Sequence, residues 1–249
     1  MQISFEGQVV LITGATRGIG AALADAFEEA GASLLLTGTD AAQCDELNQA
    51  AARAGRPRVY MDVDFTDHDG LSRFLGEIQR TGRIDVCVNN AGINRLNDIE
   101  NIADEDLQAM LDVDLRAPIL ITKAVAAVMG RAGYGRIVNV GSIWNTVSKP
   151  RRTLYSAVKA GVHGLTIGSA VELAAKDILV NTVSPGFVMT DLTRQNNTDA
   201  QIKELGGQVP VGRLAQPAEI ANVVLFLASS SNTYVTGQNI IVDGGFTHV

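Results

Sequence analysis

Ser142, Tyr155 and Lys159 carry side chains that can hold and move a proton between them. Tyr155 and Lys159 stand four positions apart in Tyr-Ser-Ala-Val-Lys, so on a helix they share one face. A phenol beside an ammonium group can run acid–base chemistry near neutral pH, because a neighbouring cation favours the ionised phenol. Ser142 ends an apolar, strand-like run that begins at Arg136. A strand end facing a helix is where a doubly wound sheet collects its chemistry. The Tyr-x-x-x-Lys pair alone also arises on ordinary amphipathic helices, so its meaning depends on the rest of the chain.

A second group of residues is built for phosphate. Thr13-Gly14-Ala15-Thr16-Arg17-Gly18-Ile19-Gly20 follows the apolar run Val9-Val10-Leu11-Ile12 and opens a helix-like stretch. A strand, a glycine turn and a helix start present bare backbone N–H groups and a positive helix end to a dinucleotide. Gly14 permits the tight turn, and Gly18 and Gly20 allow close approach of cofactor and strand.

The elements that must position these residues alternate along the whole chain. Strands are predicted at 9–13, 33–37, 58–62, 84–89, 136–141, 179–184 and 239–242. Helices are predicted at 18–30, 41–54, 67–81, 104–132, 154–175 and 217–228. The Val, Leu and Ile character of the strands suits a parallel sheet buried on both faces, with right-handed crossovers placing helices on each side. The stretch 186–213 is the least regular and reads either as a lid over a site or as a plain surface loop. No linker or repeat divides the chain, so residues 1–249 are expected to form a single domain.

Composition narrows the function classes. With 249 residues and 46% hydrophobic content the chain can bury one large core. A net charge of −7 argues against nucleic acid as the main partner and offers no polybasic surface to a membrane. No apolar run approaches the roughly 20 residues that cross a bilayer, and the N-terminus does not read as a signal peptide. Cys44 and Cys87 are distant in sequence and lack metal-ligand spacing, and the three histidines do not cluster, so no metal is expected. A cytoplasmic protein with two free thiols fits this pattern.

These motifs, in this order, resemble the short-chain dehydrogenase/reductase family over nearly the whole chain. The resemblance is carried by the Gly14–Gly20 turn, Asn89-Asn90-Ala91-Gly92, Ser142 with Tyr155 and Lys159, Ser184-Pro185-Gly186 with Thr190, and the closing Val242-Asp243-Gly244-Gly245. It implies an α/β, single-domain Rossmann-type doubly wound parallel sheet of about seven strands with helices on both faces. It also implies hydride transfer between a nicotinamide cofactor and a carbonyl or alcohol carbon. Tyr155 would be the general acid and base, Lys159 would favour its ionised form and hold the nicotinamide ribose, and Ser142 would hydrogen-bond the substrate oxygen. Gly14, Thr16, Arg17, Gly18, Ile19 and Gly20 would face the phosphates. Asn90, Ala91 and Gly92 would lie beside the adenine-side ribose, and Pro185, Gly186, Val188 and Thr190 beside the nicotinamide. Asp64, followed by Phe65, matches an adenine-contacting position and equally suits an N-cap of the next helix.

The sequence departs from the family at Asp114, where Asn is usual. That Asn is taken to hold a helix kink and a water leading from the Lys to solvent. An ionised Asp accepts hydrogen bonds but donates none, and its charge would attract Lys159. Gly38 stands where the family's NAD-selecting carboxylate would be, while Arg17 can reach a 2′-phosphate and Thr37 and Thr39 can add hydroxyl contacts. NADP(H) is therefore favoured over NAD(H), with Asp40 the residue that could reverse the preference.

For the substrate, Ser142, Trp144, Arg152 and Asn94 are the candidate contacts. Nearby Lys149, Arg151, Arg95 and Arg194 suggest an anionic hydroxy or keto compound, or simply a solvated basic loop. The alternatives are a 3-oxoacyl-carrier-protein ketoreductase and, in another class, a catalytically silent dinucleotide-binding regulator. Small residues along 104–132 and 154–175, with the resemblance, imply a homotetramer.

Overall fold

The computed structural model describes residues 3–249, apart from the side chains of Leu192 and Asn196. The strands are β1 (Val9–Ile12), β2 (Ser33–Gly38), β3 (Arg58–Asp62), β4 (Val86–Asn89), β5 (Gly135–Val140), β6 (Ile178–Pro185) and β7 (Asn239–Val242). They form one sheet in the order β3-β2-β1-β4-β5-β6-β7, and every pairing is parallel. Chain direction across the sheet reverses between β1 and β4, which opens a crevice at their carboxyl ends.

Alternation of side chains assigns each central strand to two cores. Val10 and Ile12 of β1, Val86 and Val88 of β4, and Val138 and Val140 of β5 point to one face. There they meet Leu23 and Phe27 of α1 (Gly18–Glu29), Cys44 of α2 (Ala41–Ala54), and Ile220 and Val224 of the helix at Pro217–Ala228. Leu11, Cys87 and Ile137 point the other way, to Leu71, Phe74 and Ile78 of α3 (His68–Arg80) and to Ile121, Val125 and Val128 of a helix at Ala117–Ala132. The crossovers thus bury both faces of the sheet, as its apolar strands require.

Two expectations change. The helix predicted over 104–132 is α4 (Asp104–Leu111) and α5 (Ala117–Ala132), joined by a π-helical turn at Asp112–Arg116. That wider turn keeps the chain helical while re-aiming Asp114 inward, where it is fully buried. After α6 (Thr153–Leu173), the stretch predicted as irregular contains α7 (Asp191–Asn196) and α8 (Asp199–Gly207) before α9 (Pro217–Ala228). Thr190 caps α7 by accepting from Thr193 N–H, and Thr198 and Gln201 cap α8 reciprocally. Among the described residues no helix is long and apolar enough to cross a membrane.

Candidate active site

The glycine turn is shaped by contacts that leave no room for side chains. Gly14 has φ +64°, and a Cβ there would lie 2.8 Å from Ala91 Cα. A Cβ on Gly20 would collide with Gly14 O and come within 2.7 Å of Asn90 Nδ2. Asn90 explains the tightness: its amide donates to Thr13 O and Gly14 O, both at 2.9 Å. Helix α1 then starts with no side-chain cap at Arg17 and no acidic residue in its first turn. Its free N–H groups and positive end are left for an anion. Thr190 closes the other side, with its methyl 3.5 Å from where a Gly18 Cβ would be. This glycine cradle fits a dinucleotide phosphate.

Lys159 comes from the middle of α6 and is 4% exposed. Its Nζ lies 5.5 Å from the Tyr155 ring centroid and donates to Val140 O at 3.3 Å. It also lies 3.0 Å from Asp114 Oδ1, an ion pair poorly aligned for a hydrogen bond. The other Asp114 oxygen accepts from Ile93 N–H at 3.0 Å. Burial alone would push the Lys159 ammonium down, but the carboxylate more than offsets that and holds it above its ordinary lysine value. Gly92 lets the loop pass over this pair, since a Cβ would sit 2.7 Å from Asp114 Oδ1 and 3.3 Å from Lys159 Nζ. Ser142, at the end of β5, is 7% exposed and starts a single 3-10 turn at Ile143–Asn145.

Both groups open onto one cleft of about 320 Å³. Ile19, Asn90 and Gly92 line the end nearest the glycine turn; Ser142, Tyr155 and Lys159 line the middle. Pro185, Gly186, Val188 and Thr190 form one wall, and Asn94, Trp144 and Arg152 the outer edge. A more open depression bounded by Thr66, Asp104, Gln108 and Asp112 contains none of these groups.

Some predicted contacts take other positions. Thr37 is 1% exposed, and its hydroxyl accepts from Gly14 N–H at 3.1 Å, so it braces the turn instead of facing a cofactor. Phe65 is buried at 4% and packs against Phe74, which leaves only its backbone for an adenine. The N-cap of α3 is Asp67, not Asp64; exposed Asp64 instead accepts from Thr66 N–H and Oγ1, both at 2.8 Å. Asn145, in the turn after Ser142, donates to Ser184 Oγ at 2.9 Å. Asp40 is exposed and caps α2 through Gln43 N–H, while Arg17 and Thr39 are exposed. Gly38 has no space for a side chain, because a Cβ would sit against Thr16 Cγ2 and 3.0 Å from Cys44 Sγ.

Sequence reasoning missed Phe187 and Thr193, which also line the cleft. Phe187 stacks edge-on with Trp144 and Phe246, at centroid distances of 6.4 and 5.0 Å. Its place between Gly186 and Val188 was the available signal.

A family model described as enoyl-(acyl carrier protein) reductase matches residues 14–247. The chain is 38% identical over 244 residues to 3-oxoacyl-(acyl-carrier-protein) reductase of Vibrio harveyi, covering 98% of each chain. It is 40% identical over 242 residues to the reductase of the same name from Thermotoga maritima, covering 96% of this chain and 98% of that one. A solved gluconate 5-dehydrogenase from Burkholderia cenocepacia, in complex with NADP and tartrate, has a TM-score of 0.91 at 31% identity, over 100% of this chain and 98% of the other. The single sheet of seven parallel strands agrees with that likeness over the whole chain. The chain belongs to the short-chain dehydrogenase/reductase family and is an NAD(P)-dependent oxidoreductase acting on CH–OH groups.

Proposed function

We propose that this protein interconverts a carbonyl and a secondary alcohol on a small polar substrate, with Tyr155 as general acid and base. The observation that carries this reading is the single cleft joining the glycine cradle to Ser142, Tyr155 and Lys159. A bound nicotinamide dinucleotide supplies or accepts the hydride. Tyr155 Oη gives a proton to the substrate oxygen in reduction and takes it back in oxidation. Ser142 Oγ donates a hydrogen bond to the same oxygen and stabilises its growing charge. Lys159, kept cationic by Asp114, electrostatically supports negative charge on Tyr155 Oη and offers its ammonium to the nicotinamide ribose.

Gly14, Thr16, Arg17, Gly18, Ile19 and Gly20 would hold the phosphates. Thr39, Asp64 and the chain at Asn90, Ala91 and Gly92 would hold the adenosine, and Pro185, Gly186, Val188 and Thr190 the nicotinamide end. NADP(H) is the preferred form: Arg17 is exposed beside the turn, and the crowding at Gly38 excludes a selecting carboxylate. The NADP-bound gluconate 5-dehydrogenase supports the same preference. The whole chain, 1–249, acts as one catalytic unit and assembles as a homotetramer. Two unpaired buried thiols suit a cytoplasmic site of action.

A second reading, ketoreduction of a 3-oxoacyl group on an acidic carrier protein, is favoured by the bacterial relatives of that name. Its docking surface is poorly furnished near β5. Arg136 is 3% exposed and committed to Gly135 O, Asp177 O and Asn232 O. Absorbance of the reduced cofactor, followed with a panel of small ketones, keto acids and a 3-oxoacyl thioester, tests the proposal. Turnover is expected with the small carbonyls. Firm cofactor binding with no turnover of any member would indicate a silent dinucleotide-binding regulator.

A further inference from the structure

The outer edge of the cleft holds a cation that lacks a counterion. Arg152 lines the cleft with its guanidinium carbon 5.4 Å from the Trp144 ring centroid and 5.9 Å from that of Tyr155. Its Nε is buried without a hydrogen-bond partner. Lys149 Nζ follows outside it, 5.3 Å from the Trp144 centroid and 5.9 Å from that of Phe187. Among the described residues neither cation has a carboxylate within 4.0 Å, although acidic residues outnumber basic ones in the chain. Burial first, and then the like charge of Arg152, lowers Lys149; burial likewise lowers Arg152. The turn that presents Arg152 is itself held in place: Arg151 adopts a left-handed φ of 68° and donates to Leu96 O at 2.9 Å. A half-buried guanidinium and an exposed ammonium, both over the Trp144 ring and beside the acid–base group, are unfavourable to one another and favourable to an anion.

We propose that Arg152 anchors a substrate carboxylate, with Lys149 as its outer support, and that the substrate is a short keto or hydroxy acid. The guanidinium and the Tyr155 ring are close enough that only a few bonds separate carboxylate from reacting carbon. This inference rests on the carbonyl–alcohol reading above.

The test compares 2-oxobutanoate, acetoacetate and levulinate with their methyl esters, using the full chain and the reduced cofactor it binds. For at least one pair the acid should exceed its ester in kcat/KM by about tenfold or more. Arg152→Gln should erase that advantage mainly through KM while shifting the ester by less than about threefold, and Arg152→Lys should restore part of it. Esters reduced as well as acids by the wild type, or equal losses on both in Arg152→Gln, would overturn the anchor. Trp144 is the single tryptophan, so its emission gives a readout without turnover. An acid-specific emission change that disappears in Arg152→Gln, with no reduction of any compound, would sink the proposed reaction but keep the anchor. No acid-specific change in the wild type would sink the anchor alone.

Discussion

A lysine removed from water keeps its charge only when another group stabilises it, and for Lys159 that group is Asp114 at 3.0 Å. The groups facing Lys159 are this carboxylate, the Tyr155 ring and Val140 O. Asp114→Asn keeps one carbonyl acceptor for Ile93 N–H but removes the counter-charge. Turnover at the best pH should stay within about tenfold, or about 1.4 kcal/mol in barrier. Stability should respond to pH in a defined direction. In the wild type the raised lysine value contributes stability that is complete below about 10.5 and is lost as pH climbs past it. In the variant, burial without a counterion depresses the value, so the lysine costs stability until pH approaches the same figure. The difference in unfolding free energy between the two proteins should be widest near neutrality and shrink in denaturant titrations at rising pH; a difference that grows would contradict the pairing. Ser142, Tyr155 and Lys159 were legible because their types and spacing are themselves the signal. Thr37 and Phe65 were not, because a hydroxyl or a ring reads the same whether it faces a ligand or a neighbouring turn.

Among the elements, the parallel strands and most helices were legible from apolar runs and glycine breaks, with boundaries displaced by a residue or two. The π-helical turn at Asp112–Arg116 was not, since inserting one wider turn leaves the apolar pattern of 104–132 looking continuous. Helix α7 was hidden by the Asn- and Thr-rich run that ends it at 196–198, and α8 by the Gly206-Gly207 pair at its end, although Thr198 and Gln201 form a capping pair that the spacing did offer. The glycine turn makes the sharpest prediction at this scale. In Gly20→Ala the new methyl meets Gly14 O and Asn90 Nδ2, so the turn must open. Thermal or denaturant unfolding should show a loss of about 1–3 kcal/mol, as for other overpacked sites, and dinucleotide affinity should fall with it. Unchanged affinity would mean that this turn does not carry the phosphates. Titration with both reduced cofactors tests the selectivity reading: tighter NADPH than NADH binding is expected, and removing Arg17 should narrow the difference. Tighter NADH binding would return the role to Asp40.

At the scale of the molecule, α6 carries a stripe of exposed small and apolar residues: Gly164, Ile167, Gly168 and Val171, with Ile167 47% and Val171 81% exposed. Their spacing places them on one helix face, and among the described residues nothing beyond the glycines' own stretch of helix lies within 4 Å of a Cβ built on either one. Close helix-to-helix contact between copies is the arrangement that would cover them. Light scattering at micromolar concentration should give the mass of a tetramer, and Ile167→Asp with Val171→Asp should reduce it; a monomeric wild type would contradict the assembly. The same scale contains the central claim, a division of labour within one cleft in which the β1–α1 end holds the dinucleotide and α6 moves the proton. The most direct measurement is therefore made on Tyr155→Phe, with turnover and cofactor binding read on the same sample. The expected result is that reduction of the best small carbonyl falls by at least about a hundredfold, the usual scale of a lost general acid, while the affinity for the reduced dinucleotide is retained. Full activity in that variant would contradict it.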